Sequence, residues 1–134
     1  MTLRHIDGGS LSGDTAQSSG MLREEAISGA TVGSDRLWMG RTTVRAAARS
    51  ADHHHGESET AIYVVSGHPE FVFLDGEEER RVRTDPGDYV YVPPFTPHRE
   101  ENPSATEDAV VVIARTTQEA IVVNLPGLRS EPGR

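Results

Sequence analysis

A succession of short strand-like segments separated by turn residues constrains the fold of this chain more than any other feature. These segments lie at 42–48, 61–65, 70–74, 80–83, 89–92, 109–114 and 120–124. Most are rich in β-branched, aromatic and small residues, and 80–83 is a charged segment that follows a turn. Asp75-Gly76 is a dipeptide typical of β-hairpin turns. The sequence shows neither a helical periodicity of convincing length nor an internal repeat. The pattern therefore predicts an all-β sandwich or barrel.

The length and local composition of the chain indicate one domain with polar ends. The chain has 134 residues, which is enough for one ordinary domain. Residues 1–20 are rich in Gly, Ser, Thr and Asp, and this composition predicts a flexible N-terminal tail. We assign a single barrel domain to residues 21–125 and a C-terminal tail to 126–134. Within the domain, residues 21–26 fit either one helical turn or an edge strand.

The net charge and the missing residue types exclude several classes of function. A formal charge of −8 argues against a nucleic-acid backbone or an anionic membrane as a partner. All 13 basic residues are Arg, which excludes Schiff-base chemistry by a lysine of this chain. The chain has no cysteine and hence no disulfide, thiolate nucleophile or Cys-bound zinc. No segment has the length of a membrane span and the N-terminus lacks an apolar signal core, so we expect a cytoplasmic protein.

Four of the six histidines fall in two short segments and indicate a metal site. His53, His54 and His55 are consecutive, and His98 follows 43 residues after His55. Side chains alternate along a strand, so His53 and His55 face one side and His54 faces the other. An imidazole from His98 on a neighbouring strand would complete a facial arrangement. Imidazole ligands suit a divalent transition metal such as Fe, Mn, Ni or Zn.

The histidine run resembles the first sequence motif of the cupin superfamily, in particular of its small single-domain barrels. That motif is His-x-His, three or four residues, Glu, six residues and Gly, and its counterparts here are His53, His55 and Gly67. Counting forward from His55 places the motif's acidic residue at Glu59, whereas counting back from Gly67 places it at Thr60. A shift of one residue reverses the face of a strand, so both positions stay open. We include Glu59 among the candidate ligands.

A second segment resembles the other cupin motif, which is Gly, five residues, Pro-x-Gly, two residues, His, three residues and Asn. Its counterparts here are Gly87, Pro93, His98 and Asn102, with Phe95 where the family often has Gly. The resemblance covers roughly residues 40–124. It implies a double-stranded β-helix, the jelly-roll barrel, with one divalent transition metal per chain held by His53, His55, Glu59 and His98. It also implies that Asn102 holds the loop after His98, and that a homodimer forms through the segment 22–39.

The resemblance and the ligand types together predict a metal-dependent enzyme that acts on a small organic molecule. Three or four protein ligands leave open positions at the metal, as catalytic sites require. An Fe(II)-type oxygenase is the leading interpretation. A Lewis-acid isomerase, cyclase or lyase is the next, and a non-catalytic small-molecule-binding barrel is the alternative from another class. The sequence assigns no catalytic side chain and no organic cofactor.

Overall fold

The fold consists of two five-stranded antiparallel sheets that face each other. Side chains alternate between buried and exposed along the strands, so each sheet has one apolar face to bury against the other sheet. The alternation is clearest along β2 and β4. The computed structural model describes residues 2–15, 17 and 20–129. Its elements are a 3-10 turn (Gly8–Ser10), β1 (Met21–Ile27), α1 (Gly29–Val32), β2 (Trp38–Val44), β3 (His53–His54), β4 (Thr60–Ser66), β5 (Glu70–Asp75), β6 (Glu78–Arg83), β7 (Tyr89–Val92), β8 (His98–Glu101), β9 (Ala109–Arg115) and β10 (Val123–Asn124).

The strand order is that of a jelly roll and confirms the predicted all-β class. The first sheet has the order β1-β2-β9-β4-β7, and the second has the order β10-β3-β8-β5-β6. Strands distant in sequence pair side by side, as when β2 and β4 both flank β9. In the described part of the chain, no helix has the length and apolar character needed to cross a membrane.

The apolar core lies between the two sheets and is built mainly from β-branched residues. The first sheet contributes inward-facing side chains from β4, β7 and β9, and the second contributes an aromatic side chain from β5. These buried residues are Ile62, Val64, Val92, Val111 and Phe71. Each fully buried side chain of this kind stabilises the fold by roughly 1.5–3 kcal/mol. The cluster therefore fixes the separation of the sheets and the alignment of the strands that carry polar side chains beyond it.

The segment 21–26, which the sequence left between a helical turn and a strand, belongs to the edge strand β1. It pairs with β2 of the same chain from Met21↔Val44 to Ile27↔Met39, with a register shift after Glu25. The homodimer predicted through the segment 22–39 stays a prediction.

The N-terminal residues that precede β1 also contact it. The backbones of Ser12 and Glu25 exchange two hydrogen bonds, at 2.7 and 3.3 Å. The side-chain amide of Gln17 forms two hydrogen bonds with the backbone of Arg23. It accepts from the N–H of Arg23 at 2.7 Å and donates to its carbonyl at 2.8 Å. Near the other end, Leu128 is buried. The last part of the predicted C-terminal tail, residues 130–134, lies outside the described residues.

The inner face of β1 and β2 holds a tight aromatic contact. Trp38 is buried, and its indole N–H donates to Glu25 Oε1 at 3.2 Å. The guanidinium carbon of Arg115, across the sheet on β9, lies 4.0 Å from the centroid of the Trp38 ring. Gly40 follows on the same face of β2, where a Cβ atom would lie 2.6 Å from the indole and 2.4 Å from the carbonyl oxygen of Glu24. Gly40 thus makes room for Trp38.

The predicted hairpin turn is present between β5 and β6. Asp75 pairs with Glu78, and Gly76 and Glu77 form the two-residue connection. Gly76 has a φ of +65°, in the left-handed region that favours glycine. β6 forms the edge of the second sheet, and its six residues are all exposed.

Candidate metal centre

Three imidazoles meet on the inner face of the second sheet. His53 on β3 is the direct cross-strand partner of His98 on β8, and His55 follows His53 on the same side of the chain. The ring centroids of these three histidines are separated by 4.5, 4.8 and 5.0 Å. The three rings therefore form a nearly equilateral triangle, and the structure brings together the three histidines that the sequence singled out.

A carboxylate from β8 joins the three imidazoles. Glu100 lies two residues after His98, so the alternation of the strand points both side chains to the same face. One ligand atom from each of His53, His55, His98 and Glu100 lies within 4.8 Å of the other three. Nε2 of His98 is 3.9 Å from Oε1 of Glu100. These four residues are called the His-Glu cluster below.

Backbone carbonyls orient all three rings of the His-Glu cluster. Nδ1 of His53 is 2.7 Å from the carbonyl oxygen of Ala51, Nδ1 of His55 is 2.8 Å from that of Ile121, and Nδ1 of His98 is 2.9 Å from that of Thr96. A carbonyl can only accept, so each Nδ1 carries the proton and donates. Each Nε2 then has a free lone pair, which is the arrangement that metal-binding histidines use.

Burial keeps two of these rings neutral. It lowers the pKa of His98 to about 4, and repulsion from His53 adds to this effect. Burial also lowers the pKa of His55 to about 4, against the opposing effect of its hydrogen bond to Ile121. A neutral imidazole is the form that binds a metal.

The cluster fits a divalent metal ion by its donor types and its dimensions. Nε2 of His98 is fully buried, yet it has no hydrogen-bond partner in the described part of the chain. Such an orphaned acceptor is costly unless something binds it. Metal–nitrogen and metal–oxygen bonds of about 2.0–2.2 Å put opposite ligands about 4.0–4.4 Å apart. The observed span of 4.8 Å needs to close by about 0.4–0.8 Å.

The structure places Glu59, the predicted fourth ligand, outside the His-Glu cluster. Glu59 is exposed, and its Oε1 accepts a hydrogen bond from the Tyr91 hydroxyl at 2.7 Å. Ser58 and Thr60, on either side of it, are buried and line the cavity beside the histidines. β4 continues this alternation without a bulge at its start, so Thr60 faces inward and Glu59 faces outward.

His54 has a hydrogen-bonded role, in agreement with its predicted position on the opposite side of the strand. Its Nδ1 accepts from the backbone N–H of Gly56 at 2.9 Å, and its ring packs against Phe95 at 5.7 Å between centroids. Phe95 has a φ of +58°, which explains why glycine suits this motif position. The contact joins the two motif segments behind the His-Glu cluster.

Asn102 holds the loop that follows β8. Its buried amide nitrogen donates to the carbonyls of Val44 at 3.0 Å, Arg45 at 3.2 Å and Glu107 at 2.8 Å, and its Oδ1 accepts from the N–H of Ser104 at 3.2 Å. The side chain thus satisfies carbonyls at the end of β2 and in the next loop. This agrees with the role that the second motif suggested.

A cavity of about 440 Å³ lies over the His-Glu cluster. Its walls include two of the histidines, the carboxylate and side chains from both sheets, among them His53, His55, Glu100, Arg23, Arg115 and Ile113. This volume is typical of a site for a small molecule. The cavity gives such a molecule access to the open side of the cluster.

Sequence reasoning missed Glu100 and the arginines of the cavity. The available signal for Glu100 was its two-residue spacing from His98, which is the same spacing that identified His53 and His55. Arg23 and Arg115 gave no comparable signal, because only the folded sheet brings their strands to the two sides of β2.

Acidification is expected to destabilise the metal-free protein. The ordinary histidine pKa is 6.5, whereas His55 and His98 in the folded chain have values of about 4. Between these values the unfolded chain binds protons that the folded chain does not, so the free energy of unfolding falls as the pH falls. The loss between about pH 7.5 and pH 5 is on the order of 2–4 kcal/mol for the pair.

Urea unfolding of chelator-treated protein at the two pH values measures this loss. The His55→Gln/His98→Gln double variant is the control, and its stability should depend less on pH over the same interval. An unchanged dependence in the double variant would contradict the assignment of the effect to these two rings.

The fold and the cluster define a small jelly-roll protein with a candidate metal centre. A family profile described as "Cupin domain" matches residues 40–114. That range is more than half of the chain, and the protein belongs to the cupin family.

Solved structures with this fold include enzymes of different kinds. Peruvianin-I, a cysteine peptidase from Thevetia peruviana latex, matches with a TM-score of 0.72 at 15% identity over 92% of this chain and 77% of that chain. Oxalate oxidase in complex with the substrate analogue glycolate matches with a TM-score of 0.69 at 20% identity, over 85% and 59%. Bacillus subtilis oxalate decarboxylase, which has Mn(II) centres, matches with a TM-score of 0.69 at 25% identity, over 83% and 29%.

The chain spans less than two thirds of the oxidase and of the decarboxylase. A search of curated proteins finds no match.

Proposed function

We propose that the protein is a metal-dependent enzyme acting on a small organic molecule, with one divalent transition metal held by His53, His55, His98 and Glu100. The observation that carries the proposal is the convergence of three Nδ1-anchored imidazoles and one carboxylate at the floor of a cavity. The Mn(II) centres of the similar oxalate decarboxylase support a metal of this class. The leading reaction class is oxygenase or oxidase chemistry with Fe(II) or Mn(II).

At such a centre the side chains and the backbone have different roles. The three imidazoles bind through Nε2 while the carbonyls of Ala51, Thr96 and Ile121 hold their tautomers. When bound, the ion supplies open coordination positions and, if it is redox-active, electrons for reaction with dioxygen. Glu100 would supply the fourth ligand, a carboxylate oxygen that adds one negative charge to the site. The chain has no cysteine, so a thiolate nucleophile of its own is not available.

Dioxygen uptake by the Fe(II)- or Mn(II)-loaded protein tests the reaction class. Oxalate and glycolate are the first probes, since one similar enzyme is an oxalate oxidase bound to glycolate. We expect substrate-dependent oxygen consumption that is lost in His98→Ala and retained in His68→Ala, which removes an exposed imidazole. Equal product formation with and without dioxygen would overturn the oxygenase assignment and indicate Lewis-acid catalysis. Failure to retain any metal would overturn the proposal itself.

A further inference from the structure

The cavity over the His-Glu cluster collects positive charge in an acidic protein. The whole chain has a formal charge of −8. The residues that line the cavity nevertheless include three arginines, Arg23, Arg49 and Arg115, and one carboxylate, Glu100. A bound divalent ion would make the cavity more positive still. A cleft lined by one sign of charge attracts ligands of the opposite sign.

Arg115 is held in a fixed orientation on the inner face of β9. Its Nε donates to the carbonyl of Thr117 at 3.0 Å and its Nη2 donates to that of Gln118 at 2.8 Å. Its guanidinium also stacks on the Trp38 ring at 4.0 Å. A guanidinium has five N–H donors, and the two backbone contacts use only two of them. The group is therefore positioned in advance to bind an oxyanion.

Arg23 lies on the same inner face and repels Arg115. Burial lowers the pKa of Arg115 to about 10, repulsion from Arg23 adds to the effect, and Glu25 opposes it. Arg115 stays protonated at neutral pH, so both positive charges persist. An anion near both guanidinium groups would interact favourably with each of them.

Part of the remaining cavity wall is apolar. Ile113, Ile121 and Val122 contribute side chains to it. Apolar walls suit a carbon skeleton, whereas a simple inorganic ion makes no use of them. The cavity therefore combines a metal-type centre, an arginine side and an apolar side.

We propose that the substrate is a small organic anion whose carboxylate or phosphate group binds Arg115 and Arg23, with Arg49 attracting it at the rim. This inference rests on the proposed function, because it treats the cavity as the substrate site of the metal centre. The acidic group would fix the orientation of the molecule, and its carbon skeleton would pack on the apolar wall.

Ligand titration of the folded protein tests the inference. Succinate and methylphosphonate serve as anionic probes, and succinamide serves as the neutral counterpart of succinate, all at constant ionic strength. Trp38 is the only tryptophan of the chain and contacts Arg115, so its fluorescence reports binding, with calorimetry as the second readout. Each titration uses Mn(II)-loaded and chelator-treated protein, because an anion also binds a metal ion directly.

We expect at least one anionic probe to bind about tenfold or more tightly than succinamide in both preparations. Arg115→Gln and Arg23→Gln should each weaken anion binding by about tenfold or more. Arg80→Gln, which makes the same charge change on the exposed edge strand β6, should leave it unchanged. The Arg115→Gln variant loses the contact with Trp38 and could fail to fold for that reason. Arg49 is exposed, so the Arg49→Gln variant tests the role of arginine in anion binding without that complication.

The outcomes separate this inference from the proposed function. Equal affinity for succinate, methylphosphonate and succinamide, or no effect of Arg23→Gln and Arg49→Gln, would overturn the inference even if the metal is retained. Arginine-dependent anion binding by a protein that retains no metal would support the anion site and overturn the proposed enzyme. A preference for methylphosphonate over succinate would identify the acidic group as a phosphate, and the reverse would identify a carboxylate.

Discussion

Replacing His98 by Ala is expected to abolish stoichiometric metal binding. His98 contributes the buried Nε2 atom that has no partner among the described residues, and it is the cross-strand neighbour of His53. Loss of a group that merely orients a metal ligand weakens affinity by about 10–100-fold, so loss of a ligand should cost more than about 100-fold. Metal content after dialysis, measured by mass spectrometry on tag-free protein, gives the result directly. The metal-induced rise in melting temperature should disappear with it.

Two glutamates provide a matched comparison for the fourth ligand. Glu100→Gln should weaken metal binding by about tenfold or more, because a neutral amide replaces a charged oxygen ligand. Glu59→Gln should leave the affinity unchanged, since Glu59 faces outward and contacts Tyr91. His68→Ala is the control for the imidazole variant. The opposite order of effects for the two glutamates would contradict the position that the structure gives to Glu100.

Gly40→Ala is expected to cause a large loss of stability, although it adds only one methyl group. The new Cβ atom would lie 2.4 Å from the carbonyl oxygen of Glu24 and 2.6 Å from the indole of Trp38. The first is backbone of a paired strand and the second belongs to a fully buried ring, so neither moves easily. Overpacking of this kind costs about 1–3 kcal/mol and occasionally more, out of a total stability of about 5–15 kcal/mol.

Urea unfolding followed by Trp38 fluorescence measures this loss, with circular dichroism as a second probe. Gly13→Ala is the control, because a Cβ atom at Gly13 meets nothing within 4 Å. The Gly40 variant should also have an altered folded-state fluorescence, since the displaced indole contacts Arg115. A midpoint equal to that of the unsubstituted protein would show that the sheet can shift to admit the methyl group.

Local sequence patterns predicted most of the fold, because strand signals are short-range. Runs such as 61–65 and 109–114 alternate or are continuously β-branched, and both became strands of the first sheet. β1 was ambiguous, since its charged residues fit an edge strand as well as a helical turn. The strand predicted at 120–124 is shortened to the two residues of β10, and β3 is also only two residues long. The extent of both strands depends on the pairing partners that the fold supplies.

The site residues that lie on one strand segment could be predicted from their spacing. The residues that depend on how several strands are arranged in the fold could not. The spacing of His53 and His55 was sufficient to place them on one face. The choice of carboxylate depended on which strand lies opposite them, and β8 brought Glu100 there while β4 turned Glu59 outward. Arg23 and Arg115 are 92 positions apart and come together only through β2, which pairs with both of their strands.

The carbonyl anchors of the three imidazoles lie in three different connecting segments, at Ala51, Thr96 and Ile121. Ion occupancy and the order of these loops are therefore thermodynamically linked, and each stabilises the other by the same amount. The affinity of the centre for a metal ion then depends on the stability of these loops as well as on the metal-binding side chains. Substitutions near Ile121 can tune metal affinity across related chains while every metal-binding side chain stays the same.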